Sequence, residues 1–225
     1  MRALVLFSGG VDSTTCLGLA VQKYGKENVT ALSISYGQKH QKEIEASEKI
    51  AAYYQVEHLY LDLAKIFAYS DCSLLAHSDH AIPREAYAEQ LKKTDGKPVS
   101  TYVPFRNGLF LSSAASIALS KDCSVIYYGA HSDDAAGSAY PDCSDAFHQA
   151  MGQAIYLGSG NQLTVEAPFV NWTKAQVVKK GLELGVPYEL TWSCYEGGEK
   201  PCGKCGTCID RARAFAENGV PDPAL

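Results

Sequence analysis

Four cysteines fall within fifteen residues near the end of the chain, as Cys194-x7-Cys202-x2-Cys205-x2-Cys208. Short Cys-x2-Cys knuckles wrap one tetrahedral ion, and four thiolates leave no position open for a substrate. Gly197, Gly198, Gly203 and Gly206 supply the backbone freedom such knuckles need. An iron–sulfur cluster uses four cysteines too. Zinc in a structural role is favoured, because nothing else in the chain suggests redox chemistry. At the other end, Ser8-Gly9-Gly10-Val11-Asp12-Ser13 follows the apolar run Ala3–Phe7. Glycines let a backbone approach an anion, and the free N–H groups that open a helix then bind it. No Lys-Ser/Thr follows the glycines, so this is not a Walker loop. Asp12 is suited to holding Mg²⁺ or positioning the loop rather than to touching bare phosphate, since like charges repel.

The middle of the chain adds cations and carboxylates. Arg106 in Val103-Pro-Phe-Arg-Asn107 and Lys174 in Asn171-Trp-Thr-Lys174 each open a helix, where a cation opposes the helix dipole. That cost argues for a job on a phosphate or carboxylate. Gly129-Ala-His-Ser-Asp-Asp134 and Tyr140-Pro-Asp-Cys143 contain Asp133, Asp134 and Asp142. A carboxylate accepts two neighbouring N–H groups of a guanine-like base, so each is a candidate base reader. For Asp142, capping the helix that follows is equally plausible. His40 is read as a surface histidine, although it lies near the Tyr36-Gly-Gln segment. His58, His77, His80 and His148 carry no functional claim.

These residues need a frame. Apolar strand-like runs at Ala3–Phe7, Val29–Tyr36, Val56–Leu63, Ser124–Gly129 and Leu163–Ala167 alternate with helical periodicity. The helices are expected at about Ser13–Tyr24, Gln38–Tyr54, Arg106–Ser120, Asp142–Leu157, Thr173–Leu184 and Ile209–Glu217. This alternation predicts an α/β fold, an open mostly parallel sheet with helices on both faces. The expected organisation is an α/β domain carrying the anion-binding loop over residues 1–190 and a cysteine tail over 191–225. Within the first, residues 64–101 form an irregular lid or substrate excursion, punctuated by His77, Asp79, His80, Pro83, Asp95, Gly96 and Pro98, with a short helix near Arg84–Leu91. In open α/β sheets the ligand sits beyond the carboxyl ends of the strands, where the loop and the Gly129 segment both fall.

Bulk properties set the class. The chain has 225 residues, 46% hydrophobic and 20% charged, with a formal net charge of −5. No basic run is present, which disfavours stable nucleic-acid binding. No apolar stretch is long enough for a membrane span. The eight cysteines, four of them crowded together, fit metal binding in a reducing, cytoplasmic compartment.

Ser-Gly-Gly-x-Asp-Ser resembles the signature loop of the ATP pyrophosphatase family, whose members adenylate a substrate oxygen, release pyrophosphate and let a nucleophile displace AMP. Together with Tyr36-Gly-Gln-Lys-His40, Val103-Pro-x-Arg-Asn107, Tyr140-Pro-Asp-Cys143 and Thr191-Trp-Ser-Cys194 with its cysteines, the chain resembles the 7-cyano-7-deazaguanine synthase branch over essentially its whole length. The resemblance implies an adenine nucleotide alpha-hydrolase-like fold and a ligase. It would use Mg²⁺ with ATP to turn 7-carboxy-7-deazaguanine and ammonia into a nitrile, a queuosine or archaeosine precursor. It implies ATP contacts at Ser8, Gly9, Gly10, Val11, Asp12, Ser13, Thr14, Tyr36 and Gly129, and catalytic roles for Asp12, Arg106 and Lys174. It also implies a homodimer. Phe105 stands where the family pattern leads one to expect glycine. A tRNA thiolation or lysidine-type enzyme on the same fold, or a non-catalytic ATP-sensing zinc module, are the alternatives.

Overall fold

The computed structural model describes residues 1–95 and 97–224; Gly96 lies outside the described residues. In chain order the main elements are β1 (Arg2–Leu6), α1 (Val11–Tyr24), β2 (Val29–Ser35), α2 (Lys42–Tyr54) and β3 (Glu57–Asp62). The excursion holds α3 (Ala64–Phe67) and α4 (Tyr87–Lys92), and is followed by α5 (Arg106–Ser120), β4 (Cys123–Tyr127) and α6 (Ser132–Ala135). Then come α7 (Asp145–Gly158), β5 (Thr164–Glu166), α8 (Lys174–Glu183) and α9 (Gly206–Glu217). The strands form one sheet in the order β3-β2-β1-β4-β5, and every pairing is parallel. The expected doubly covered sheet is therefore present. No helix among the described residues is long and apolar enough to cross a membrane.

Alternation along the central strands explains why both faces are covered. Ala3, Val5 and Phe7 of β1 and its end join one buried cluster with Cys16, Leu17, Ile50 and Val177 from the helices on that side. Leu4 and Leu6 join the other cluster, with Leu111, Ala114, Ala118 and Ile155 from α5 and α7. Period-2 apolar positions pointing both ways require helices on both faces. The tail is attached through α9, whose Ala214 and Phe215 pack with Val178 of α8, Val11 and Tyr188.

Several boundaries differ from expectation, two of them for clear local reasons. Helix α2 begins at Lys42 rather than Gln38, because Gly37 turns with φ +83° and Gln38 forms a β-bridge with Leu75. Helix α7 begins at Asp145, not Asp142: Ser144 is its N-cap and accepts the Phe147 N–H at 3.2 Å. The short helix expected near Arg84–Leu91 spans Tyr87–Lys92. The excursion is less irregular than its composition implies, since Phe67, Cys72, Leu74 and Leu75 are buried with Tyr36 and Val103.

Candidate functional site

The chain runs outward from β1 to β2 and β3, then crosses back to place β4 on the other side of β1. That reversal leaves a crevice above β1 and β4, the place where such sheets bind ligands. A cavity of about 230 Å³ opens there, lined by the loop after β1, the Gly129 segment after β4, and residues of α2, α5, α8 and the tail.

The loop is built from its own hydroxyls. Ser8 and Ser13 Oγ lie 3.1 Å apart, the Ser8 N–H donates to Ser13 Oγ at 3.2 Å, and the Gly10 N–H donates to Ser8 Oγ at 3.3 Å. Helix α1 has Gly10 as N-cap with no side-chain cap, so the first helical N–H groups face the cavity without intrahelical partners. Asp12 is in the first turn and is not the cap. Gly9 turns with φ +81°, and a Cβ there would lie 2.7 Å from both Glu43 O and Ser47 N. Gly129 is equally confined, since its Cβ would meet the Asp12 carbonyl carbon at 2.9 Å. Gly9→Ala is expected to destabilise the protein by roughly 2 kcal/mol and weaken ATP binding, since both strain and a backbone clash must be relieved. A urea melt and an ATP titration check this.

Asp12 and Lys174 meet in the wall. Lys174 Nζ donates to Asp12 Oδ2 at 2.5 Å, and His131 Nε2 stands 3.7 Å from the same oxygen and 3.3 Å from Asp134 Oδ2. Among the described residues, Asp12 Oδ1 is buried without a hydrogen-bond partner. Burial raises the Asp12 pKa, but Lys174 and then His131 outweigh it and hold the carboxyl well below its usual range. Burial lowers the His131 pKa, while Asp134 and Asp12 raise it further, so the net shift is upward.

Arg106 lines the same cavity in a different setting, its guanidinium 4.9 Å above the Tyr36 ring. Both helix-opening cations have a carboxylate reaching in from elsewhere in the chain. Asp142 Oδ2 accepts the Asn107 N–H at 2.8 Å at the start of α5, and Asp133 Oδ2 accepts the Lys174 N–H at 2.8 Å at the start of α8. Each places an anion where the helix dipole favours one and fixes the helix end that carries the cation. This corrects the expectation for Asp142. It caps α5 rather than the helix that follows it, is 4% exposed, and lies outside the cavity lining. Asp133 and Asp134 do line the cavity, each already engaged.

Of the expected ATP contacts, Ser8, Gly10, Val11, Asp12, Ser13, Tyr36 and Gly129 line the cavity. Gly9 sets the packing of α2 instead, and Thr14 is fully buried with its hydroxyl donating to Gly10 O at 2.6 Å. His40 is neither at the cavity nor on open surface. It is half-buried against the cysteine tail, its ring 6.4 Å from that of Trp192 and blocking any Cβ at Gly197. Phe105, the N-cap of α5, has φ +55°. That left-handed conformation is why glycine suits the position, and a non-glycine residue there costs about 1–2 kcal/mol.

Several lining residues are not singled out by sequence. His131, Glu43, Asn107 and Phe110 carry no individual signal, although His131 lies inside a flagged string. The tail contributes Trp192, Ser193, Tyr195, Thr207 and Asp210, and the Trp192 N–H donates to Gly9 O at 3.0 Å. The cysteine tail is thus a wall of the cavity and a clamp on the loop. Its four sulfurs all lie within 4.8 Å of one another. Cys194 Sγ accepts N–H groups from Glu196 and Cys202, and Cys202 Sγ accepts from Lys204 and Cys205, at 3.3–3.4 Å. Such donors stabilise thiolates, so the group is fit to hold a metal ion.

The model of the family described as "Queuosine biosynthesis protein QueC" matches residues 2–219. The chain belongs to the QueC family. It is 44% identical over 226 residues to the 7-cyano-7-deazaguanine synthase of Archaeoglobus fulgidus, covering 100% of this chain and 90% of the relative. It is 44% identical over 223 residues to the protein of that name from Caldicellulosiruptor bescii, covering 99% and 96%. The U34-tRNA thiolase NcsA from Methanococcus maripaludis, solved with its [4Fe-4S] cluster, superposes with a TM-score of 0.54 at 15% identity, over 97% of this chain and 67% of that one. That likeness shows a shared fold. As a QueC family member the chain is an enzyme of the ATP pyrophosphatase-loop type, acting on small molecules.

Proposed function

We propose that the protein converts 7-carboxy-7-deazaguanine and ammonia into 7-cyano-7-deazaguanine at the expense of two ATP. What carries this is one cavity in which an anion-binding loop, an Asp12–Lys174 pair and Arg106 meet, in a chain that matches the QueC family over residues 2–219. A substrate carboxylate oxygen attacks the α-phosphorus of ATP, giving an acyl adenylate and pyrophosphate. Ammonia adds to the acyl carbon and AMP leaves with that oxygen, giving the amide and a proton. The amide oxygen then attacks a second ATP and again releases pyrophosphate. Loss of AMP and the amide protons leaves the carbon–nitrogen triple bond. Both activations turn an oxygen on the same carbon into a leaving group, so one fixed nucleotide site serves both.

The free N–H groups of α1 and the loop hydroxyls are suited to the leaving pyrophosphate, with Lys174 adding positive charge. Arg106 is suited to the substrate carboxylate. The apolar floor of Leu6, Leu32 and Ile34 gives a flat purine a surface to lie on. The unpartnered Asp12 Oδ1 fits an Mg²⁺ ion, which when bound supplies charge neutralisation for the triphosphate. Of the cysteine group, zinc is the ion we favour. Tetrahedral Zn–S bonds of about 2.3 Å put sulfurs about 3.8 Å apart, which fits four sulfurs that all lie within 4.8 Å of one another, whereas a cubane cluster spreads its ligands more widely. The cytoplasm is the compartment where free thiolates persist. Cys205→Ser is expected to lose zinc and most of the soluble protein, because the ion folds the segment that clamps Gly9. Metal analysis and soluble yield check this; a stable, metal-free variant contradicts the structural role. The function itself is tested by incubating the protein with Mg-ATP, ammonia and 7-carboxy-7-deazaguanine and following nitrile formation by mass spectrometry.

A further inference from the structure

Five carboxylates line the cavity, and four have partners. Asp12 is paired with Lys174, Asp133 caps α8, Asp134 faces His131, and Asp210 pairs with Arg213 at 2.9 Å. Glu43 differs. Among the described residues its carboxylate makes no hydrogen bond and no ion pair within 4 Å, although it belongs to the cavity wall. Its backbone is nonetheless closely packed. It sits in the first turn of α2, where its backbone carbonyl packs against Gly9 so closely that no Cβ fits between them. Tyr36, Phe110 and Arg106 line the same cavity, the Tyr36 and Phe110 ring centroids 6.2 Å apart and Arg106 over Tyr36. An aromatic wall beside an unpartnered carboxylate suits a flat base that presents neighbouring N–H donors.

We infer that Glu43 reads the guanine-type edge of the deazapurine, its two oxygens accepting the ring N–H and one hydrogen of the exocyclic amine. This rests on the reaction proposed above. A carboxylate accepts two such donors side by side, and Glu43 has both oxygens free for them among the described residues, whereas each of the four aspartates already has one oxygen engaged. Desolvation pushes the Glu43 carboxyl up to about 7, against the pull of Arg106. A group left so short of donors gains from a ligand that supplies two. Because α2 packs directly on the loop, a base held by Glu43 is also held at a fixed distance from the nucleotide's phosphates, as repeated attack on one phosphorus position requires.

The test compares 7-carboxy-7-deazaguanine with its analogue lacking the 2-amino group, using wild type and Glu43→Gln. Wild type is expected to prefer the amino substrate by at least about 10²-fold in kcat/KM, since the analogue leaves the carboxylate short of a donor. Glu43→Gln should raise KM for the amino substrate by roughly 10²-fold and shrink the preference below about tenfold, with KM for ATP unchanged. An unchanged preference in the variant overturns the assignment, because a merely structural role would not alter discrimination between two substrates. Glu43→Asp, which keeps the charge and shortens the reach, should fall between the two and covers the case in which the glutamine variant folds poorly. If wild type makes no nitrile from either compound, the reaction itself fails and the inference falls with it. If wild type turns over and the variants discriminate normally, only the role of Glu43 fails.

Discussion

Asp12→Asn is expected to lower pyrophosphate release and nitrile formation by roughly 10²–10³-fold, the scale for losing one preorganised charge-stabilising group. The substitution keeps the shape and removes the charge. Lys174 then loses the carboxylate that holds its ammonium 2.5 Å away, and the buried Oδ1, which has no partner among the described residues, is no longer an anionic ligand for the proposed Mg²⁺. The loss should appear in kcat more than in substrate KM, because the group acts on charge that develops at the phosphates. Asp12 also has a pH signature. Its folded pKa lies below the unfolded value of 3.8, so its contribution to stability is fully present above that value and is lost as pH falls towards the folded pKa. The acid limb of activity near neutral pH should therefore be the same in wild type and in whatever residual activity Asp12→Asn retains. A variant with near-normal turnover would remove Asp12 from the chemistry.

Asp222→Ala is expected to cost about 3–5 kcal/mol, the range for leaving one member of a buried ion pair alone. Arg211 of α9 is clasped by Asp222 through two bonds, Nε to Oδ2 at 2.6 Å and Nη2 to Oδ1 at 2.8 Å. Their side chains are only 5% and 3% exposed. The same guanidinium donates to Thr191 Oγ1 at 2.8 Å and to Tyr188 O at 3.2 Å. It thereby ties α9 and the residues after it to the strand of chain that leads into Trp192 and the clamp on Gly9. A planar fork with five donors is suited to this junction, and lysine is not. At about 2–4 °C per kcal/mol for a domain of this size, thermal unfolding of the metal-loaded protein should fall by roughly 6–20 °C. A shift under about 2 °C would mean that the pair does not hold the tail.

The glycine-rich turn into α1, the cysteine group and the strand–helix alternation were legible in the sequence because each is local. Ser8–Ser13 carries its turn glycines, its hydroxyls and its helix start within six residues, and Cys194–Cys208 carries all four sulfurs within fifteen. What was not legible depends on pairings across the chain. Asp133 and Asp142 look like free carboxylates in one dimension, yet cap helices 41 and 35 residues away. Glu43 looks like an ordinary acidic residue in the first turn of a surface helix until α2 is seen packed on Gly9. Arg211 and Asp222 sit among other charges with nothing in their spacing to mark a buried pair. The helix boundaries that moved did so for similar reasons: Gln38 is drawn into a bridge with Leu75, and Ser144 outcompetes Asp142 as a cap.

One reaction tests the central claim most directly. Purified metal-loaded protein is incubated with Mg-ATP, ammonia and 7-carboxy-7-deazaguanine, and the products are followed by mass spectrometry. The expected result is 7-cyano-7-deazaguanine, with two AMP and two pyrophosphate formed per nitrile and the amide seen in passing. Folded protein that leaves the acid unchanged under these conditions would contradict the proposed reaction.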